Sequence, residues 1–166
     1  MPSVELGLKY NVSMNYFIFM LLAAGAGGCI ALQASANSKF RQNLATDPWA
    51  APLWASYFSI CGTVIASNLA MLIFRPPAPT WDSMRNTQWW NWIGGPLGAL
   101  IVLAGASLVR ELGAAAFIAL VVGGQLVCSL LLDHFALLGL DEKPISPGKI
   151  GGALLVIGGV LCIKFL

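Results

Sequence analysis

Five apolar stretches dominate this 166-residue sequence, at roughly 15–32, 53–74, 92–108, 114–132 and 150–163. Each approaches the ~20 residues that an α-helix needs to cross the hydrocarbon core of a bilayer. Hydrophobic residues make up 58% of the chain and charged residues 10%, against ~45–50% and ~25% in soluble domains. The sequence therefore predicts an all-α integral membrane protein, one domain of five transmembrane helices. The net charge of +2 is too small to point to nucleic acid as a partner. Cys29, Cys61, Cys128 and Cys162 all lie inside apolar stretches without metal-ligand spacing. They read as small packing residues, so neither a disulfide framework nor a metal site is expected, and no cofactor is implied.

Threading the chain back and forth sorts the loops into two sets. The N-terminal side receives Lys9, Arg75, Arg85, Lys143 and Lys149, and the opposite side receives Lys39, Arg41, Arg110 and Lys164. That is five against four, all nine of the chain's Lys and Arg residues. Orientation is normally set by a Lys/Arg excess in cytoplasmic loops. Here there is almost none, so either orientation should insert, and a chain that inserts both ways can pair with an upside-down copy of itself. Inverted repeats of this kind are the architecture of many secondary transporters. Met14 opens Met-Asn-Tyr-Phe-Ile-Phe-Met in the manner of a start, so residues 1–13 are expected to be a flexible N-terminal extension. Without them Lys9 is lost and the split becomes four against four. No cleavable signal peptide is expected, because the first apolar run continues into a full span.

The punctuation between spans is clear. The first helix is expected to run past Leu32, through the polar segment Gln33-Ala-Ser-Ala-Asn37, towards Arg41. Asp47-Pro48-Trp49 reads as a turn and helix entry. Arg75-Pro76-Pro77-Ala78-Pro79 ends the second span, since three prolines so close cannot continue a helix, and the longest loop follows, to Gln88. Arg110-Glu111-Leu112-Gly113 reads as a tight turn between the third and fourth spans. Glycine pairs at 27–28, 94–95, 123–124, 151–152 and 158–159 suggest close helix packing, because small residues let backbones approach in lipid.

Polar residues inside the spans are the best functional pointers, since a buried amide in hydrocarbon must find partners. Gln33 and Asn37 are four apart and share a helix face. Gln125, Ser129 and Asp133 make a second stripe along the fourth span. Ser56, Ser59, Thr63 and Ser67, with Asn68 beside them, make a third along the second span. Hydroxyls can return to the preceding turn of their own helix. Amides carry too many donors and acceptors for that escape, so Gln125, near the middle of its span, is a candidate for lining a central cavity. Trp54, Tyr57 and Phe58 cluster early in the second span, where ring faces could hold a cation. Trp81, Trp89, Trp90 and Trp92 bracket the third span, in the manner of an aromatic belt at headgroup depth. Asp133 and His134 are candidates for proton handling, although their position at the end of the fourth span, where water is near, suits a cap or interfacial role better. None of the seven acidic residues stands at the centre of a span, which points to a neutral, zwitterionic or weakly charged substrate. No second histidine, metal cluster or nucleophile elbow is present, so an enzyme is not expected.

Four segments carry a family resemblance. Gly28-Cys-Ile-Ala-Leu-Gln33-Ala-Ser-Ala-Asn37 resembles the first-helix signature of the YdcZ-like family, short five-helix relatives of the drug/metabolite transporter superfamily. The match continues at Trp89-Trp90-Asn-Trp92-Ile-Gly94-Gly95-Pro-Leu-Gly98. It is strongest at Gly124-Gln125-Leu-Val-Cys-Ser129-Leu-Leu-Leu-Asp133-His134-Phe135 and ends at Pro144-Ile-Ser-Pro147-Gly-Lys149-Ile-Gly151. Ala31 stands where such sequences often carry Pro, and Lys149 where Arg is common. The resemblance implies a bacterial inner-membrane protein and an antiparallel assembly of five plus five helices, either a homodimer or a pair with a homologous, oppositely oriented chain. It marks Gln33, Asn37, Trp92, Gln125, Ser129 and Asp133 as motif residues.

The expected function is a secondary transporter of a small polar or amphipathic molecule, working by alternating access within the inverted dimer. Gln33, Asn37, Trp92, Gln125, Ser129 and Tyr57 are the expected substrate-binding residues. Helices one to four are expected to surround the cavity, with the fifth peripheral. The rival reading is a non-transporting scaffold or accessory subunit of a larger membrane complex.

Overall fold

A computed structural model describes the backbone of residues 2–165 and the side chains of residues 16–165. Six α-helices follow one another: α1 (Pro2–Asn43), α2 (Ala51–Phe74), α3 (Trp81–Arg85), α4 (Gly94–Leu112), α5 (Ala114–His134) and α6 (Pro147–Phe165). No strand occurs among the described residues. Five segments are long and apolar enough to cross a membrane: Tyr16–Asn43, Ala51–Phe74, Trp89–Leu112, Ala114–His134 and Pro147–Phe165. They correspond to the five apolar runs of the sequence. The first helix does run on beyond Leu32, to Asn43. The chain divides into two compact units, Met1–Gln33 and Ala34–Leu166, with the border inside α1.

Local chemistry sets the helix ends. The Asp47 carbonyl accepts from the N–H groups of Ala50 and Ala51 at 2.9 and 3.0 Å, and this turn feeds α2. At the far end Arg75 turns into the left-handed region (φ 45°, ψ 51°), its N–H donates to the Met71 carbonyl, and Pro76 follows. The proline-rich loop is less irregular than its sequence suggests. Thr80 caps the short α3 by accepting the Ser83 N–H at 3.3 Å, and a 3-10 turn at Trp89–Trp92 leads into α4. Ser146 does the same for α6, accepting the Lys149 N–H at 3.3 Å, with Pro147 at the first helical position.

The turn between α4 and α5 differs from the expectation. Arg110, Glu111 and Leu112 still belong to α4, and the whole reversal falls on Gly113 at φ 85°, ψ 150°. Backbone of that kind is essentially open to glycine alone. One glycine therefore does the work assigned to four residues.

Within Ala34–Leu166, α2 packs on α4, α4 on α5 and α5 on α6. The contacts use small residues. α2 buries Ala51, Ala55 and Ser56, α4 buries Gly105, Ala106 and Val109, and α6 buries Ala153 and Val160. A core of Ala34, Val109 and Phe117 is surrounded by Ala104, Leu112, Ile118 and Val121. Among the described residues no large side chain is fully buried. Lipid tails are as apolar as leucine, so helices in a bilayer gain from close backbone approach rather than from hiding large side chains.

The glycines that achieve that approach are not the pairs singled out in the sequence. A Cβ built on Gly105 would stand 3.0 Å from Ala34 Cβ and 3.3 Å from Ala34 Cα. Gly123 has only Val160 Cγ2, at 3.9 Å, and the other nine paired glycines meet nothing within 4 Å.

Candidate functional site

The end of α1 meets α2 and α4 through polar side chains. Asn37 is buried, and its Nδ2 donates to Ser59 Oγ of α2 at 3.0 Å. Three residues on, the Phe40 ring meets Phe58 edge-to-face, with centroids 5.9 Å apart. Arg41 then reaches α4. Its Nη1 donates to the Ser107 carbonyl at 2.7 Å and lies 3.5 Å from that of Ala106. Those carbonyls belong to the C-terminal half of α4, more than one turn before its last residue, Leu112.

The hydroxyls of α2 mostly turn inward on their own helix. Ser56 donates to Pro52 and Leu53, Thr63 to Ser59 and Ser67 to Thr63. Asn68 corrects the rule drawn for amides: its Nδ2 donates to the Val64 carbonyl at 2.8 Å, so an amide also can return one N–H to its own helix. Asn37 follows the rule and takes its partner from another helix.

Along α5 the stripe divides. Gln125 is exposed at the twelfth of 21 helical positions and makes no hydrogen bond among the described residues. Ser129 is exposed and donates to the Leu126 carbonyl at 2.9 Å. Asp133 and His134 are half-buried at the helix end. The Asp133 backbone carbonyl accepts the Lys143 N–H at 2.8 Å, which folds the loop back over the end of α5. His134 lies edge-on to Phe135, centroids 4.7 Å apart, and its Nδ1 is buried without a hydrogen-bond partner. No group of His, Cys, Asp and Glu suited to a metal occurs among the described residues.

The remaining candidates lie apart. Tyr57 stands near the start of α2, perpendicular to Trp54 at 5.9 Å, and lines a groove of about 510 Å³ with Trp49, Ala50, Leu53 and Trp54. Trp92 is exposed on the turn before α4. Trp92 is not among the residues that line the groove beside Tyr57. Gln33 is exposed in the Met1–Gln33 unit. A second groove, of about 530 Å³, runs between α5 and α6 past Gly124, Cys128 and Ile157; it is apolar, and Gln125 does not line it.

Sequence reasoning missed the role of Arg41, which was counted as a loop charge. The signal was its spacing, four residues beyond Asn37 and so on the same helical face.

Comparison with known proteins agrees with the resemblance. Residues 18–162 match a family described as "Putative inner membrane exporter, YdcZ". The chain is also similar to the "Inner membrane protein YdcZ" of Escherichia coli (strain K12), at 37% identity over 83 residues, 50% of this chain and 56% of the relative. The chain thus spans little more than half the length of that curated relative. No solved structure matches it.

Proposed function

The chain belongs to the YdcZ family of multi-pass inner-membrane proteins, and from that footing we propose that it is a secondary transporter of a small polar or amphipathic molecule. It works as an antiparallel pair, a homodimer or a match with a homologous chain of opposite orientation. Two inverted copies place their mid-span residues around one site. Rocking one copy against the other exposes that site to each side in turn. In a homodimer the two end states are related by symmetry and so nearly equal in energy.

Gln125 carries this reading. Its amide stands at mid-span, exposed on α5 and without a hydrogen-bond partner among the described residues. In hydrocarbon that costs several kcal/mol, on the order of an unsatisfied polar group, so a second surface, water or a ligand must meet it. Ser129, one turn on, shares the face, and Asn37, Gln33, Tyr57 and Trp92 are further substrate contacts that two copies would assemble. Asp133 and His134 are the groups through which a proton gradient would act. A scaffold or accessory subunit accounts for the open glycines equally well and its partner would offer the amide a second surface, so flux that depends on Gln125 separates the two readings.

The test is flux. Ligands are found by thermal shift on the purified dimer and then followed in liposomes with and without a pH gradient. Gln125→Leu should abolish transport while leaving dimer assembly intact, and Gln125→Asn should retain part of it. Wild-type flux in Gln125→Leu would remove the proposal. Single cysteines at Lys39 and Arg85 test the arrangement: an antiparallel pair crosslinks the mixed combination, a parallel pair each position to itself.

A further inference from the structure

Arg41 has more donors than its structural role uses. A guanidinium carries five N–H groups in a planar fork. Only Nη1 is engaged, with the Ser107 and Ala106 carbonyls. Nε and Nη2 make no hydrogen bond among the described residues. They are not sealed off either, since the one buried, partnerless side-chain polar atom there is His134 Nδ1. The contacts Arg41 makes are to carbonyls, and no carboxylate pairs with it among the described residues.

The surroundings suit a ligand. Asn37, one turn earlier on the same face, is fixed through one N–H to Ser59 and keeps a second. Phe40 stands between these two residues on α1, and its partner Phe58 precedes Ser59 on α2, so the ring pair is an apolar neighbour of the donors. Arg41 itself is only half-buried, near the end of a span, so an approaching group need not cross the hydrocarbon core to reach it. A cation that merely satisfies two backbone carbonyls needs one nitrogen and no more. Here the Nε–Nη2 edge of the fork is left free and open.

We propose that Arg41 and Asn37 form an oxyanion subsite, which takes a carboxylate or phosphate group where α1, α2 and α4 meet. The planar fork matches the paired oxygens of such groups, and charge-assisted bonds of this kind are among the strongest available. As a refinement of the transport reading, and resting on it for its role, this gives the substrate class as molecules with an apolar body and an oxyanion, zwitterionic or anionic overall. The oxyanion could also belong to a lipid headgroup.

The test reads binding directly, in the full-length protein. Phenylglyoxal modifies accessible guanidinium groups, and mass spectrometry reports each site, with Arg75, Arg85 and Arg110 as internal controls. In an uncharged maltoside detergent Arg41 should react, benzoate should protect it selectively, and the neutral benzamide should not. Arg41→Lys, followed by benzoate-induced thermal shift, keeps the charge and the carbonyl contact but loses the fork, so it should need roughly tenfold more benzoate. Protection in phosphatidylglycerol bilayers without benzoate assigns the oxyanion to the lipid; protection by benzoate in detergent assigns it to a small molecule. Three results overturn the subsite: equal modification with and without benzoate or phosphatidylglycerol, equal protection by benzamide, or no modification of Arg41 in plain detergent. Protection together with absent flux keeps the subsite and removes the transport reading instead.

Discussion

At the scale of the residue, the contact between Ala34 and Gly105 shows what holds such a chain together. A methyl group on Gly105 would come to 3.0 Å from Ala34 Cβ and 3.3 Å from Ala34 Cα. A side chain can rotate away, but a Cα can retreat only if its helix moves. Gly105→Ala should therefore destabilise the fold by about 1–3 kcal/mol, the range for overpacking a tight site. Adding Ala34→Gly to the same chain should recover only part of that loss, since it removes the Cβ contact but leaves the Cα at 3.3 Å and places a glycine within α1. Reversible unfolding in mixed micelles measures both. A neutral Gly105→Ala would show that the two backbones do not rely on this approach. The position was not legible in the sequence. Paired glycines draw the eye, yet closeness depends on which face of a helix meets a neighbour, and the run Gly105-Ala106-Ser107 looks no different from other small-residue runs. Asn37 was more legible: an amide inside a span needs a partner, and the sequence pointed to it without showing that the partner is Ser59.

The spans themselves were readable because lipid imposes a length. About 20 apolar residues either cross or do not, and all five runs found their helices. The connections were less so. Helix and turn compete over a few residues there, and a single backbone torsion decides. Arg110 and Glu111 are polar enough to suggest a turn, but with Leu112 they continue α4 because Gly113 alone supplies the reversal. Thr80 and Ser83 likewise build a short helix inside a loop that the prolines seemed to keep extended. The hairpin yields a clean prediction at this scale. A Cβ on Gly113 would meet nothing within 4 Å, so the cost of replacing it is conformational rather than steric. Gly113→Ala should lose about 1–3 kcal/mol, the strain of a residue held in a sparsely populated region. Chemical denaturation measures the loss. Hydrogen exchange should show it as earlier opening at the end of α4 and the start of α5. An unchanged stability would mean that the hairpin can reverse without this torsion, with Arg110–Leu112 unwound as the sequence suggested.

For the whole molecule the governing quantity is the distribution of positive charge. Orientation is settled during insertion, when Lys and Arg on short loops act by their number and side, before any of them has found a partner. Arg41 and Lys149 count at that stage even though the folded chain engages the first with α4 and the second, through Nζ, with the Lys143 and Pro144 carbonyls at 3.1 Å. With five cations on one side and four on the other, the wild-type population should divide between both orientations, as reporters fused to the C-terminus would show. Replacing Arg75 and Arg85 by Ala leaves three against four, and adding Gln42→Lys at the exposed end of α1 makes it three against five. That variant should insert in one orientation. Replacing Lys39 and Arg110 by Ala leaves five against two and should fix the other. Each variant alone should fail to transport, and co-expression of the two should restore flux, because only then can inverted pairs form. Activity from either fixed variant alone would end the inverted-dimer reading, and so would a wild-type population held on one face with no oppositely oriented companion.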